Sequence, residues 1–352
     1  MITVSSTNSL KDCCKNILLS VLGRVVWCDS IYFAKSFCVN VLSPNLNTYA
    51  KFIAIDSSDN IYVVVDGYVA AGQVQTLMKF NSSGTIQWQK QINGIIRALV
   101  GGVDSSDNVY LLENRDVSGS RIIKLNSSGT IQWSKELPDF NLTAMTADLD
   151  GNVYIGGTGY DPDASYNDAA FFKYDSSGTL VWANSMSTYN PNNAVINSMC
   201  FKDNKIDFTG SLFTSDPGFF FGMIGQINVD GDFLWMNNFY DTNFESGTHP
   251  VQGFRVISKS SNAIVFTGSA TSLANDALTL FGRIPVDGSL TATYELPSGN
   301  LIPYLVGAGS MTSFSPDESS VTISTATGTV TITSIFISVG TTSITSESVE
   351  MV

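Results

Sequence analysis

Few residues in this 352-residue chain are equipped for chemistry. Its one histidine, His249, excludes His-rich metal ligation, and a His-based relay would need a nucleophile set beside it. No G-x-S-x-G elbow supplies one, and no phosphate loop or dinucleotide glycine fingerprint occurs. Asp161, Asp163 and Asp168 cluster in YDPDASYND. Two carboxylates at a suitable separation could act on a glycoside, but the same stretch describes an acidic solvated loop, which is the expectation. Asp148, Asp150 and Asn152 (DLDGN), with Asn228, Asp230 and Asp232 (NVDGD), supply some of the oxygens of a calcium loop. The bidentate glutamate such a loop needs does not follow, so tight turns are expected, with no metal and no cofactor. His249 itself reads as a surface residue or a polar contact in a long loop over 240–252.

The cysteines point the same way. Cys13, Cys14, Cys28 and Cys38 crowd the first 38 residues and Cys200 stands alone, a spacing that fits neither zinc ligation nor a redox pair. Free, mostly buried thiols in a protein made in a reducing cytoplasm are expected. With 43% hydrophobic residues and 14% charged ones, the chain is too apolar for disorder. Eighteen Lys+Arg against 31 Asp+Glu leave no cationic footprint for nucleic acid. No apolar run approaches the roughly 18–20 residues of a membrane span.

The elements that must position any site come from internal repetition. FIAIDSSDNIYVVV with LMKFNSSGTIQWQKQI (52–92) returns as ALVGGVDSSDNVYLL with IIKLNSSGTIQWSKEL (98–137), and as TAMTADLDGNVYIGG with AFFKYDSSGTLVWANSM (143–186). Copies at 198–239 and 254–296 drift, and one at 311–350 keeps only the rhythm. Each unit reads as four strands, because Val, Ile, Tyr, Phe and Thr runs are separated by Asp/Asn/Ser/Gly turns. Trp88, Trp133, Trp182 and Trp235 hold one equivalent position, taken by Ala292 and Ile344 in the last two copies. A tryptophan on an outer strand can cover the flank of the next unit, burying about 150–250 Å². Recurrence in register indicates packing rather than a ligand platform.

Four strands per unit predict an all-β β-propeller of six four-stranded blades, with seven as the alternative. Before it, residues 9–22 (SLKDCCKNILLSVL) read as a short amphipathic helix, with Ser9 and Asp12 as a capping box. The stretch lacks the flanks of a secretory signal. Segment 30–37 (SIYFAKSF) reads as a fourth strand with Phe33 in the tryptophan position. The expected organisation is thus an N-terminal attachment segment over 1–45, suited to multimeric assembly, and a propeller over 46–352.

The strings Asp104–Asn108 with Val109–Tyr110, and Asn126–Trp133, resemble those of the bacterial β-propeller repeat family often called SBBP. The resemblance covers about residues 50–240 in detail and 250–350 by spacing. The pairs Gly84–Trp88 and Gly129–Trp133 are also distantly similar to the packing element of pyrroloquinoline-quinone-type propellers, though no cofactor or calcium ligands of that class are found. Asp175-Ser-Ser-Gly178 has the wrong spacing for a sialidase Asp box. The resemblance implies a scaffold of the kind found in bacterial surface proteins and phage virions, and no catalytic residues.

In such a blade the first-to-second and third-to-fourth turns share one face, and the remaining loops share the other. The second group is elaborated at 157–169, 213–219 and 239–252, and insertions on one face often bind. Tyr160, Tyr166, Phe219, Tyr240, Phe244 and His249 are therefore the contact candidates; for Phe219 core packing is an equal reading. The expected role is a non-enzymatic virion component (tail, fibre or capsid-attached protein), made in the host cytoplasm. Its partners would be other virion proteins or a host-surface receptor or glycan. A bacterial surface adhesin or carbohydrate-binding propeller is the alternative, and a glycan-degrading propeller the enzymatic one.

Overall fold

The β-branched and aromatic runs fold into antiparallel meanders, each reversed at an Asp- or Asn-headed turn. The computed structural model describes residues 35–39, 49–69, 72–92, 98–114, 119–161, 166–188, 192–215, 218–239, 251–271, 277–289, 293–295, 301–306, 309–313, 319–320, 325–327 and 330–334. Strand β1 (Lys35–Val39) precedes the first meander. Blade 1 is β2 (Tyr49–Ile55), β3 (Ile61–Val69), β4 (Gly72–Phe80) and β5 (Ile86–Ile92). Blade 2 is β6 (Ala98–Val103), β7 (Val109–Asn114), β8 (Ser120–Leu125) and β9 (Ile131–Leu137). Blade 3 is β10 (Phe140–Ala147), β11 (Val153–Asp161), β12 (Tyr166–Tyr174) and β13 (Leu180–Thr188). Blade 4 is β14 (Asn192–Lys202), β15 (Lys205–Ser215), β16 (Gly218–Asn228) and β17 (Phe233–Phe239). Blade 5 has three strands among the described residues, β18 (Val251–Lys259), β19 (Ile264–Thr271) and β20 (Ala277–Ile284).

The core lies between successive blades, not inside any one of them. Tyr62, Val64 and Leu77 of blade 1 meet Val109, Leu111, Ile123 and Leu125 of blade 2. Tyr110, Leu112 and Ile122 of blade 2 meet Leu142, Val153 and Phe172 of blade 3. The same apposition recurs between blades 3 and 4 and between blades 4 and 5. Each sheet is apolar on both flanks, so no blade can bury its surface without neighbours. This is the all-β propeller architecture, and the described residues contain no helix. The helix expected over 9–22 lies outside them. No helix among the described residues is long and apolar enough to cross a membrane.

The chain departs from its repeat rhythm after blade 5. Short strands β21 (Thr293–Glu295) and β22 (Leu301–Val306) pair with each other, and β22 adds to the outer edge of β17. Residues 311–334, expected as part of a sixth repeat, then run back around the blades. Strand β23 (Gly309–Ser313) adds to β13, β24 (Ser319–Ser320) to β9 and β25 (Thr325–Thr327) to β5, and β26 (Val330–Ser334) pairs with β1. This stretch has neither tryptophan nor an Asn-Ser-Ser-Gly turn with which to lock a blade. It keeps strand propensity, so its Ser/Thr/Val backbone satisfies itself on edges already present and covers them against other chains. Ala292 and Ile344, assigned the tryptophan position, lie outside the described residues.

Candidate binding face

The polar residues that recur in each blade are drawn into two seams. In the first-to-second turn of blade 1, Asp56 Oδ1 accepts from the backbone N–H of Ser58 (3.0 Å) and Asn60 (2.8 Å). Its Oδ2 accepts from Tyr62 Oη at 3.2 Å and faces Lys79 Nζ at 3.1 Å. Asp104 with Tyr110 repeats this at 3.0 Å, and Asp148 with Tyr154 at 3.1 Å. The lysines lie over the tyrosine rings, Lys79 on Tyr62, Lys124 on Tyr110 and Lys173 on Tyr154, at 4.8, 5.1 and 5.3 Å from the ring centroids. Burial, then the neighbouring aspartate, pushes the tyrosine hydroxyls far above their ordinary value. Burial lowers Lys124. Burial alone would raise Asp56, but hydrogen bonds from Asn60, Lys79 and Ser58 outweigh it and hold the carboxyl below its usual range.

The second seam joins neighbouring blades. Trp88 pairs across its hairpin with Lys79, and both reach the Ser127 carbonyl in the third-to-fourth turn of blade 2, at 3.1 and 3.4 Å. Trp133 and Lys124 donate to Ser176 O of blade 3 at 3.2 and 2.8 Å. Trp182 and Lys173 donate to Val229 O of blade 4 at 3.1 and 3.0 Å. Under each indole lies the turn glycine: a Cβ at Gly178 would come 2.8 Å from the Trp133 ring, and its φ of +85° already favours glycine. The tryptophans are the packing elements their register indicated. The lysines were missed, although each stands two residues before a turn, in MKFN, IKLN and FKYD.

Blade 4 breaks the pattern. Asp207 takes the tyrosine position and Gln226 the lysine position, and Asp207 pairs with Lys259 of blade 5 at 2.9 Å. Gln226 Nε2 donates to Asp207 Oδ1 at 2.6 Å. Burial raises the Asp207 carboxyl against those partners. Cys200 nearby is a free, half-buried thiol, and burial raises its pKa. The Asp-rich strings behave as turns. Asp148 Oδ1 takes the N–H of Asp150 and Asn152, and Asn228 Oδ1 takes those of Asp230 and Asp232.

On the opposite face the structure changes what the elaborated segments are. Residues 157–169, expected as a loop, are mostly strand: β11 runs to Asp161 and β12 starts at Tyr166. Tyr160 pairs with Asn167 and Tyr166 with Asp161, so both candidates sit at the tip of one hairpin. The 213–219 segment is likewise the end of the β15–β16 hairpin, where Phe219 pairs with Thr214. These hairpins have strands of 9 and 11 residues, against 9 in blade 1 and 6 in blade 2, so the ladder extends through the segments expected as loops. Asp168, expected in a solvated loop, is buried on β12 because the longer strand draws it into the sheet. Tyr240, Phe244 and His249 lie outside the described residues, in the connection between β17 and β18. Among the described residues this face carries the tips of the two hairpins that bear Tyr160, Tyr166 and Phe219.

No family model matches the chain, and no curated protein matches it. Solved structures do. The β-propeller domain of the trilobed protease from Pyrococcus furiosus, described as having an open velcro topology, is 10% identical with a TM-score of 0.40, over 76% of this chain and 82% of that one. A GH43 endo-arabinanase from Bacillus licheniformis is 12% identical with a TM-score of 0.30, over 74% and 98%. A further structure named a glycoside hydrolase is 8% identical with a TM-score of 0.30, over 77% and 90%.

Two outcomes follow from the seams. Trp133→Ala should lower unfolding free energy by up to about 3 kcal/mol in urea titration, the low end for loss of a large aromatic because Trp133 is only partly buried; an unchanged midpoint would remove the junction role. Asp56, held below its unfolded pKa, stabilises the fold above that unfolded value, about 3.9, and the contribution fades as pH falls through the folded one. Asp56→Asn should therefore lower the urea midpoint at pH 7 and flatten its fall between about pH 5 and 3.

Proposed function

We propose that this chain is a non-enzymatic binding scaffold whose elaborated face carries the contacts, serving as a bacteriophage virion component. The observation that carries the scaffold reading is the division of labour between the two faces. Described polar residues that recur from blade to blade are engaged in turns and junctions, as with Asp104, Tyr110, Lys124 and Trp133. Sequence differences between blades concentrate in the hairpin tips of blades 3 and 4 and the 240–250 connection. A face free to vary on a fixed ring suits recognition. The repeat resemblance and the low-charge Ser/Thr/Asn composition favour the virion setting.

The contact would come from Tyr160, Tyr166, Phe219, Tyr240, Phe244 and His249, aromatic groups that bind protein or sugar surfaces with little loss of side-chain freedom. Mass spectrometry of purified particles from the source should find the chain at structural stoichiometry, and its absence would overturn the virion assignment. Deleting 160–167 should weaken the partner complex at least tenfold in a surface-binding assay while leaving the melting temperature within a few degrees. Undiminished binding would count against this face. Turnover of a glycan on an array would replace the scaffold reading with the enzymatic one.

A further inference from the structure

The C-terminal run keeps a step that the repeats do not announce. Val306, Ser313, Ser320, Thr327 and Ser334 follow one another every seven residues, and each pairs with a strand. The partners of the first four are Asn237, Asn184, Lys135 and Lys90. Each is the second residue after the tryptophan of its blade, Trp235, Trp182, Trp133 and Trp88. The fifth, Ser334, pairs with Lys35, the second residue after Phe33. One step of this belt equals one blade, and Lys35 occupies the place that outer strands hold elsewhere.

Two independent observations agree. The flank of blade 1 facing away from blade 2 carries Ile61, Val63, Met78 and Phe80, which correspond to Val109, Leu111, Ile123 and Leu125 of blade 2. In blade 2 those side chains are covered by the preceding blade. In blade 1 they are 0–8% exposed, with β1 packed beside β3. Gly84, in the third-to-fourth turn of blade 1, has φ +76°, like Gly129, Gly178, Gly231 and Gly288. Each of those four lies under the tryptophan of the blade before it.

We propose that the N-terminal strand Lys35–Val39 is the outer strand of a blade preceding blade 1, and that the belt strands within 301–334 are the latch holding it there. The β1–β26 pairing then ties the first described strand to the last, beside the apolar flank of blade 1.

The test uses the full chain. Inserting one residue after Ser320 puts β25 and β26 out of step and turns their side chains to the opposite face. Hydrogen exchange should then lose at least tenfold of its protection at 35–39, while 109–114 and 153–161 keep theirs; equal protection at 35–39 with and without the insertion would overturn the latch. Should the insertion prevent folding, Phe37→Pro, which disfavours β1 at its centre opposite Ile332, decides by itself. It should lower the melting temperature and the hydrogen-exchange protection of 330–334. A Phe37→Pro variant matching the parent in both would overturn the assignment.

Discussion

One carbonyl oxygen per junction governs this molecule. The indole N–H of one blade and the lysine ammonium beside it converge on the same backbone oxygen of the next, at Ser127, Ser176 and Val229 in turn. The turn presenting that oxygen contains a glycine on which the indole lies, so shape and hydrogen bond are satisfied by one placement. Removing either donor forfeits one of the two hydrogen bonds to that oxygen, at a net cost of about 0.5–1.5 kcal/mol beyond the lost packing. The lysine is tolerated there because an aspartate and a tyrosine ring of its own blade receive its charge. Where the set is incomplete, between blades 4 and 5, Trp235 still covers Gly288 but its Nε1 is buried without a hydrogen-bond partner. There Gln226, in the lysine position, still donates to the equivalent carbonyl, Val286 O, at 3.4 Å, and the Asp207–Lys259 pair adds a second link.

A row of such junctions leaves sheet edges to be dealt with. Each outer strand would present unpaired backbone groups to solvent, which invites pairing with other chains. The belt answers this along blades 1 to 4 with strands of two to six residues, rich in serine and threonine on blades 1 to 3 and apolar (LIPYLV) on blade 4. Its direction, opposite to the order of the blades, also returns the chain to its N-terminal strand. Closure and edge protection are thus the work of one segment, while the hairpin tips of blades 3 and 4 remain free to differ.

Much of this was legible in the residues. Strand runs, turn types and the tryptophan register follow from local chemistry, because a D-S-S-D-N or N-S-S-G turn satisfies its own backbone within five residues. The contact candidates were legible only as positions. Tyr160, Tyr166 and Phe219 were placed on loops, whereas the ladder extends through all three. Alternation beyond the expected strand end is weak in YDPDASYND, and whether pairing continues there depends on the opposing strand. Lys79, Lys124 and Lys173 were overlooked because a buried lysine looks like a surface one until its carbonyl partner, some 50 residues away, is in view.

The amino-acid sequence by itself determined that this chain is all-β, built of repeated four-stranded units, and that tryptophan on the last strand of the first four units packs the units together. These properties arise from interactions within a hairpin or from a repeat seen several times over. Only the tertiary structure decided the use of residues 301–334. Their strand propensity is satisfied equally by a meander of their own or by edges supplied by others, and local chemistry does not distinguish the two. The choice falls to the outer strands, which exist as a docking surface only once the blades have assembled.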